Sequence, residues 1–221
     1  IKNNINVVKL VPGFFELIID FLFTGKIKKI ILGGEKLNVE IINKLYNVYA
    51  QSNVDCDFKI YDEYGPTEST VGMCYSQVYH NNNHSIGKQY YNCKAYILDE
   101  QLQPLPIGAV GELYIGGVGL ARGYLNRPDL TAERFMANPF EIGTRMYQTG
   151  DLVRWRFDGN LEYIGRNDFQ VKIRGHRIEL AEIESILASY EGIKQNAVLA
   201  REHIDKEDKS KYLVGYYVSD G

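Results

Sequence analysis

The sequence predicts a chain of mixed α/β and α+β subdomains: part of a parallel α/β sheet subdomain, a small antiparallel β-barrel-like subdomain, and a truncated C-terminal α+β subdomain. Three observations predict this. The first third alternates short apolar runs with amphipathic helical stretches. The middle breaks into short strands separated by Gly- and Pro-containing turns, and beyond Asp168 strands again bracket a helix. The predicted boundaries are residues 1–72, 73–167 and 168–221.

Taken in order, residues 5–10 read as a strand, and Pro12 stands at a helix start with Phe14, Phe15, Leu17, Ile18, Phe21 and Leu22 on a broad apolar face. Residues 27–32 form a second strand ending in Gly33-Gly34-Glu35. Asn38 is placed to cap a helix whose Ile41, Ile42, Leu45 and Val48 make a core stripe. Residues 58–61 form a third strand leading into Tyr64-Gly65-Pro66-Thr67-Glu68. Strand, helix, strand, helix, strand implies parallel pairing, and ligands gather at the carboxyl ends of such strands, where Gly33-Gly34 and the Tyr64 turn both lie.

From about residue 71 to 164, strands are expected at 94–98, 111–115 and 152–157. Pro104, Pro106-Ile107-Gly108 and Asp158-Gly159-Asn160 supply the turns, and one short helix lies near 131–135. The last part reads as strands at 169–173 and 177–179, a helix at 181–190, and strands near 196–199 and 211–218.

With 221 residues, 45% of them hydrophobic, and a net charge of −3, the chain is neither disordered nor a nucleic-acid surface. Its basic cluster at residues 26–29 and the mixed-sign run at 205–211 read as solvated faces. Cys56, Cys74 and Cys93 are odd in number and lack CxxC spacing. That argues against a disulfide framework or zinc site and points to a reducing, cytoplasmic location. The longest apolar stretch, residues 7–23, is interrupted by Lys9, Pro12, Glu16 and Asp20, so no membrane partner is expected. The chain opens on Ile1 and reads as a piece of something longer.

Tyr64-Gly65-Pro66-Thr67-Glu68 sets an aromatic ring before a Gly-Pro turn, then a hydroxyl and a carboxylate. These are means of covering a base, touching a phosphate and holding Mg²⁺. Three further stretches follow in order. They are Gly111-Glu112-Leu113-Tyr114-Ile115-Gly116-Gly117 with Gly119-Leu120-Ala121-Arg122-Gly123-Tyr124, then Tyr147-Gln148-Thr149-Gly150-Asp151, then Gly165-Arg166-Asn167-Asp168-Phe169-Gln170-Val171-Lys172-Ile173-Arg174-Gly175. In this order and spacing they resemble the amino-acid adenylation domains of nonribosomal peptide synthetases, within the adenylate-forming superfamily, over nearly the whole chain.

The resemblance implies an ATP-dependent ligase that converts an amino acid to its aminoacyl adenylate, then loads it on the phosphopantetheine thiol of a peptidyl carrier domain, beside a condensation domain. It implies that Tyr64 stacks on adenine with Gly65 in the turn, and that Asp62, where many members carry Asn, accepts from the exocyclic amine. Thr67 meets the α-phosphate and Glu68 holds Mg²⁺. Asp151 takes the ribose hydroxyls, and Arg166 steadies the ribose and phosphate side. Asp168 becomes the hinge of a mobile small subdomain, and Gly175 lies on the loop that approaches the carrier arm.

The pocket positions implied are Lys9, Ile31, Gly33, Glu63, Val71 and Gly72, a set resembling that of asparagine-activating members. The chemistry agrees: Lys9 donates to a carboxamide oxygen and Glu63 accepts from its nitrogen. A mutual Lys9–Glu63 pair is the plain alternative, and such a pair still serves as a pocket floor. The family's phosphate loop, the aspartate that holds the α-amino group and the C-terminal catalytic lysine are not in the sequence, so the chain alone is expected to be inactive. An acyl-CoA or aryl-acid ligase, and a non-catalytic carrier-docking module, are the other readings.

Overall fold

Three parallel strands carry the first part of the fold: β1 (Val7–Leu10), β2 (Lys29–Gly33) and β3 (Lys59–Tyr64), joined by helices α1 (Pro12–Leu22) and α2 (Val39–Gln51). The computed structural model describes residues 5–22, 27–51, 58–80, 85–173, 175–203 and 211–219. Cys56, Lys26 and most of the 205–211 charge run lie outside the described residues.

Pro12 opens α1, where its fixed φ suits the first turn and its missing N–H costs no helical bond. The backbone N–H of Glu40 donates to Asn38 Oδ1 (3.0 Å), so Asn38 satisfies a donor at the start of α2. Phe15, Ile19 and Leu22 of α1 and Ile41, Ile42 and Leu45 of α2 bury against Ile30, Leu32 and Ile60 of the sheet. Strand side chains alternate between faces. The helices therefore cover the Ile30, Leu32 and Ile60 face, and Lys9, Ile31, Gly33, Tyr61 and Glu63 share the other.

This sheet does not stop at residue 72. β4 (Cys74–Val78) pairs antiparallel with β3, and β5 (Lys88–Gln89) pairs with β4, so the expected boundary at 72/73 cuts a five-stranded sheet. Short hairpin strands after a parallel set extend it without a crossover helix.

A second sheet has the order β10–β9–β7–β6. It is built from β6 (Cys93–Leu98), β7 (Gly111–Gly117), β9 (Arg145–Trp155) and β10 (Leu161–Arg166). Helix α3 (Pro128–Arg134) leads into β8 (Phe135–Ala137), which joins the start of β9. The expected barrel-like form is an open antiparallel sheet: among the described residues β6 and β10 are its ends and do not pair with each other. The length of β9 explains this. One edge takes β7, and the other takes β8 and then β10.

Contacts divide the chain into two units, residues 1–167 and 168–221. In the second, β11 (Val171–Ile173) and β12 (His176–Ile178) form a hairpin turning at Gly175, whose φ of +77° suits glycine. Helix α4 (Leu180–Ala188) packs on the hairpin of β13 (Ile193–Glu202) and β14 (Lys211–Ser219), where the Val198 N–H donates to Glu184 Oε1 at 2.8 Å. Among the described residues no helix is long and apolar enough to cross a membrane.

Candidate functional site: a nucleotide and amino-acid site

At the carboxyl end of β3 the Tyr64 hydroxyl donates to Asp151 Oδ2. Arg166 Nη1 donates to Asp151 Oδ1 (2.7 Å), and Arg166 Nη2 donates to the Thr149 carbonyl (3.1 Å). The Asp151 and Arg166 side chains are only 9% and 15% exposed, so this ion pair is little screened by water. A carboxylate offers about four acceptor sites, so one such group can serve protein donors and sugar hydroxyls together.

Asp151 is placed by a bulge. Gln148 stands opposite Tyr114 and Leu152 opposite Glu112, so residues 149–151 of β9 face Leu113 alone. Bulges re-aim side chains beside active sites. Gly150 takes φ +75°, its N–H donates to Glu112 Oε1 (2.9 Å), and Gln148 Nε2 donates to Glu112 Oε2 (3.1 Å).

After Tyr64, one 3-10 turn spans Thr67–Ser69, with Thr67 exposed and Glu68 buried. The Tyr124 hydroxyl donates to Glu68 Oε1 (2.6 Å), and the Ala121 N–H donates to the Glu68 carbonyl (2.8 Å). The loop from β7 toward α3 is thus stitched to the turn. Gly65 has no room for a side chain: a Cβ there would lie 2.2 Å from the Val71 carbonyl oxygen. Gly72 N–H closes a three-residue turn on the Thr70 carbonyl (3.0 Å), leaving Val71 at φ +73°. For a β-branched residue that backbone is strained.

On the face of the sheet opposite the helices, Lys9 of β1 and Glu63 of β3 form an ion pair through Glu63 Oε2. Gly33 stands beside Glu63 in register, and a Cβ on it would meet the Glu63 carbonyl oxygen at 2.7 Å. The Tyr90 hydroxyl donates to Glu63 Oε1 (3.1 Å).

A family profile described as AMP-binding enzyme matches residues 1–125. The chain belongs to that family. Within this AMP-binding family it is of the nonribosomal-peptide-synthetase adenylation type, as its relatives indicate. It is 48% identical over 213 residues to tyrocidine synthase 3 of Brevibacillus parabrevis, covering 95% of this chain and 3% of that protein. The solved structure of holo-PA1221 is of a nonribosomal peptide synthetase protein containing adenylation and PCP domains, bound to a vinylsulfonamide inhibitor. It superposes with a TM-score of 0.83 at 28% identity, over 97% of this chain and 37% of that one. Holo-AB3403, a four-domain nonribosomal peptide synthetase bound to AMP and glycine, gives 0.65 at 35% identity, over 100% and 16%. The chain therefore spans a small part of each relative.

In this AMP-binding chain the residues expected around a nucleotide fall into neighbouring groups. Tyr64, Asp151 and Arg166 meet directly, while Thr67 and Glu68 occupy the next turn. Asp62 points to the opposite side of β3 from Glu63, where burial, with the Glu63 charge adding to it, pushes its carboxyl up to about 7. Asp168 accepts from the Gln170 N–H (3.1 Å) at the start of the second unit, to which Gly175 also belongs.

Sequence reasoning missed three tyrosine roles. The resemblance implies only a stacking role for Tyr64. Its hydroxyl, like those of Tyr124 and Tyr90, donates to a site carboxylate. Burial, reinforced by the paired carboxylates, raises all three above the ordinary phenol range, Tyr90 to about 12, so they remain protonated donors. Tyr124 and Glu112 sit inside recognisable motifs, which was a usable signal; nothing in the spacing marks Tyr90.

Proposed function

We propose that this chain forms part of the site of an adenylation domain that activates an amino acid, L-asparagine by preference, with ATP. The aminoacyl group then passes to the phosphopantetheine thiol of a carrier domain. A substrate carboxylate oxygen attacks the α-phosphorus in line; the new acyl–oxygen–phosphorus link forms as the bond to the bridging oxygen breaks, and pyrophosphate leaves with the electron pair. No protein nucleophile is required, so the chain's task is positioning and charge compensation.

Asp151 and Arg166 orient the ribose, Tyr64 and Asp62 bound the adenine, and Thr67 meets the α-phosphate. Glu68 suits Mg²⁺, a hard cation usually held by one or two carboxylates together with substrate phosphates. The buried Glu68 carboxylate, fixed by the Tyr124 hydroxyl, fits that need, and Mg²⁺ there would neutralise phosphate charge.

The observation that carries the amino-acid assignment is the Lys9–Glu63 pair on one sheet face, with Gly33 and Gly72 packed against Glu63 where a larger side chain would collide with it. A carboxamide complements both partners, its oxygen toward Lys9 and its NH₂ toward Glu63. Aspartate would set a carboxylate against Glu63, and an apolar or aryl acid would leave two polar groups without partners. Sites built to hydrogen-bond a substrate reject analogues lacking the group by ~10⁴-fold or more. The pair also disfavours the acyl-CoA or aryl-acid reading. Intact Glu68, Asp151 and Arg166 disfavour a docking module, which has no use for a nucleotide site. A hinge at Asp168 is supported by the contact boundary between Asn167 and Asp168.

The test is ATP–pyrophosphate exchange by the complete adenylation domain across twenty amino acids. Exchange led by asparagine supports the assignment. Exchange led by an apolar amino acid overturns the pocket reading, and no exchange overturns the enzyme reading.

A further inference from the structure

Resting on that reading of Glu63, we infer that Tyr90 is a specificity-positioning residue: its hydroxyl holds the Glu63 carboxylate in the orientation that receives the substrate side chain. Both Glu63 oxygens have protein donors, Lys9 Nζ on Oε2 and Tyr90 Oη on Oε1 (3.1 Å). Two donors, one on each oxygen, fix the carboxylate plane, which one flexible lysine, with a side chain 48% exposed, does not do alone.

Tyr90 is itself held. Its N–H donates to the Met73 carbonyl (2.9 Å), its carbonyl accepts from the Cys93 N–H (3.1 Å), and its ring stacks on Tyr75 with centroids 4.8 Å apart. Tyr75 stands directly opposite Glu63 in the β3–β4 register, so stack and carboxylate share one end of the sheet. Burial keeps the hydroxyl protonated, since the phenol is pushed up to about 12.

Gly72 acquires a second role. A Cβ there would lie 2.7 Å from Glu63 Oε1 and 3.2 Å from Tyr90 Cε2, so a larger residue would push the Glu63 carboxylate from its place beside Tyr90. The small residue makes room for the positioning pair. Tyr90 acts through Glu63 and needs no contact with the amino acid.

The experiment measures pyrophosphate exchange by the complete domain, with separate KM values for ATP and for whichever amino acid the wild type exchanges best. Tyr90→Phe keeps the ring and stack and removes the donor. The expected result is a rise of about 10- to 100-fold in amino-acid KM, the range for losing a hydrogen bond to a charged group, with ATP KM unchanged within about twofold. In a Glu63→Gln background the same substitution should have little further effect, because the two act as one unit. Tyr91→Phe, on a neighbouring side chain that is 97% exposed, serves as the control. Unfolding temperatures of all variants identify any that merely misfold.

An unchanged amino-acid KM in folded Tyr90→Phe overturns the inference. So do a parallel rise in both KM values and an equal effect in the Glu63→Gln background. A wild type that prefers an amino acid other than asparagine sinks the substrate assignment, while the Tyr90 test still runs on that amino acid. Exchange with none sinks both.

Discussion

Tyr64 and Asp151, 87 residues apart in sequence, are joined by a hydrogen bond from the phenol to the carboxylate, and Arg166 binds the other oxygen of the same group. The bond ties the first sheet to the second where β3 ends and β9 bulges. Removing either donor exposes the same weakness, a carboxylate taken from water with fewer partners.

Arg166→Ala should therefore cost about 3–5 kcal/mol of stability, the usual penalty for stranding a buried charge. Tyr64→Phe should cost about 1.5–3 kcal/mol, the worth of one hydrogen bond to a charged group. Urea denaturation of the complete domain reads both. Equal, negligible losses would mean that Asp151 is hydrated and that its pairing matters little.

Asp62 gives a pH dependence. Its folded pKa, about 7, lies above the ordinary carboxylate value because burial disfavours the charge. The folded state therefore holds its proton more tightly than the unfolded chain. That contribution to stability is complete below about pH 4 and is lost as pH rises through 7. Asp62→Asn keeps an acceptor and removes the charge, so the variant should gain on the wild type between pH 5 and pH 8. Denaturation midpoints at the two pH values check this, and a constant difference would show that Asp62 is not desolvated.

Val71 holds φ +73° in a three-residue turn. Backbones of this kind cost about 1–3 kcal/mol in a residue with a Cβ. Val71→Gly should raise stability by about 1 kcal/mol, the relieved strain being partly offset by added unfolded-state entropy. If Val71 also bounds the pocket, the same variant should relax amino-acid selectivity in exchange assays. Lower stability with unchanged selectivity would contradict both statements.

Glu112 acts on the site from behind, by accepting the Gly150 N–H. Glu112→Ala should raise the KM for ATP about tenfold while leaving the KM for the amino acid near its wild-type value, because Asp151 loses its placement and the Lys9–Glu63 pair does not. Equal changes in both constants would point to general unfolding of β7.

The parallel strands and their helices were legible because apolar runs and a 3.6-residue stripe announce them, as Ile41, Ile42 and Leu45 do on α2. The motif and the strand after it read as separate pieces, although β9 runs unbroken from Arg145 to Trp155. A bulge at Gly150 destroys the two-residue period, so alternation cannot be followed across it. β5, two residues long, and β8, three, are too short to show a period. Site carboxylates were legible through motifs, whereas the Tyr90–Glu63 bond spans 27 residues and arises from the pairing of β5 with β4 and the bond from the Tyr90 N–H to the Met73 carbonyl.

The most direct test is a crystal structure of the complete domain with a non-hydrolysable asparaginyl adenylate analogue. The account predicts the carboxamide oxygen within hydrogen-bond reach of Lys9 Nζ, its nitrogen on Glu63, and the ribose hydroxyls on Asp151. A side chain bound away from Lys9 and Glu63, or a ribose away from Asp151, would contradict it.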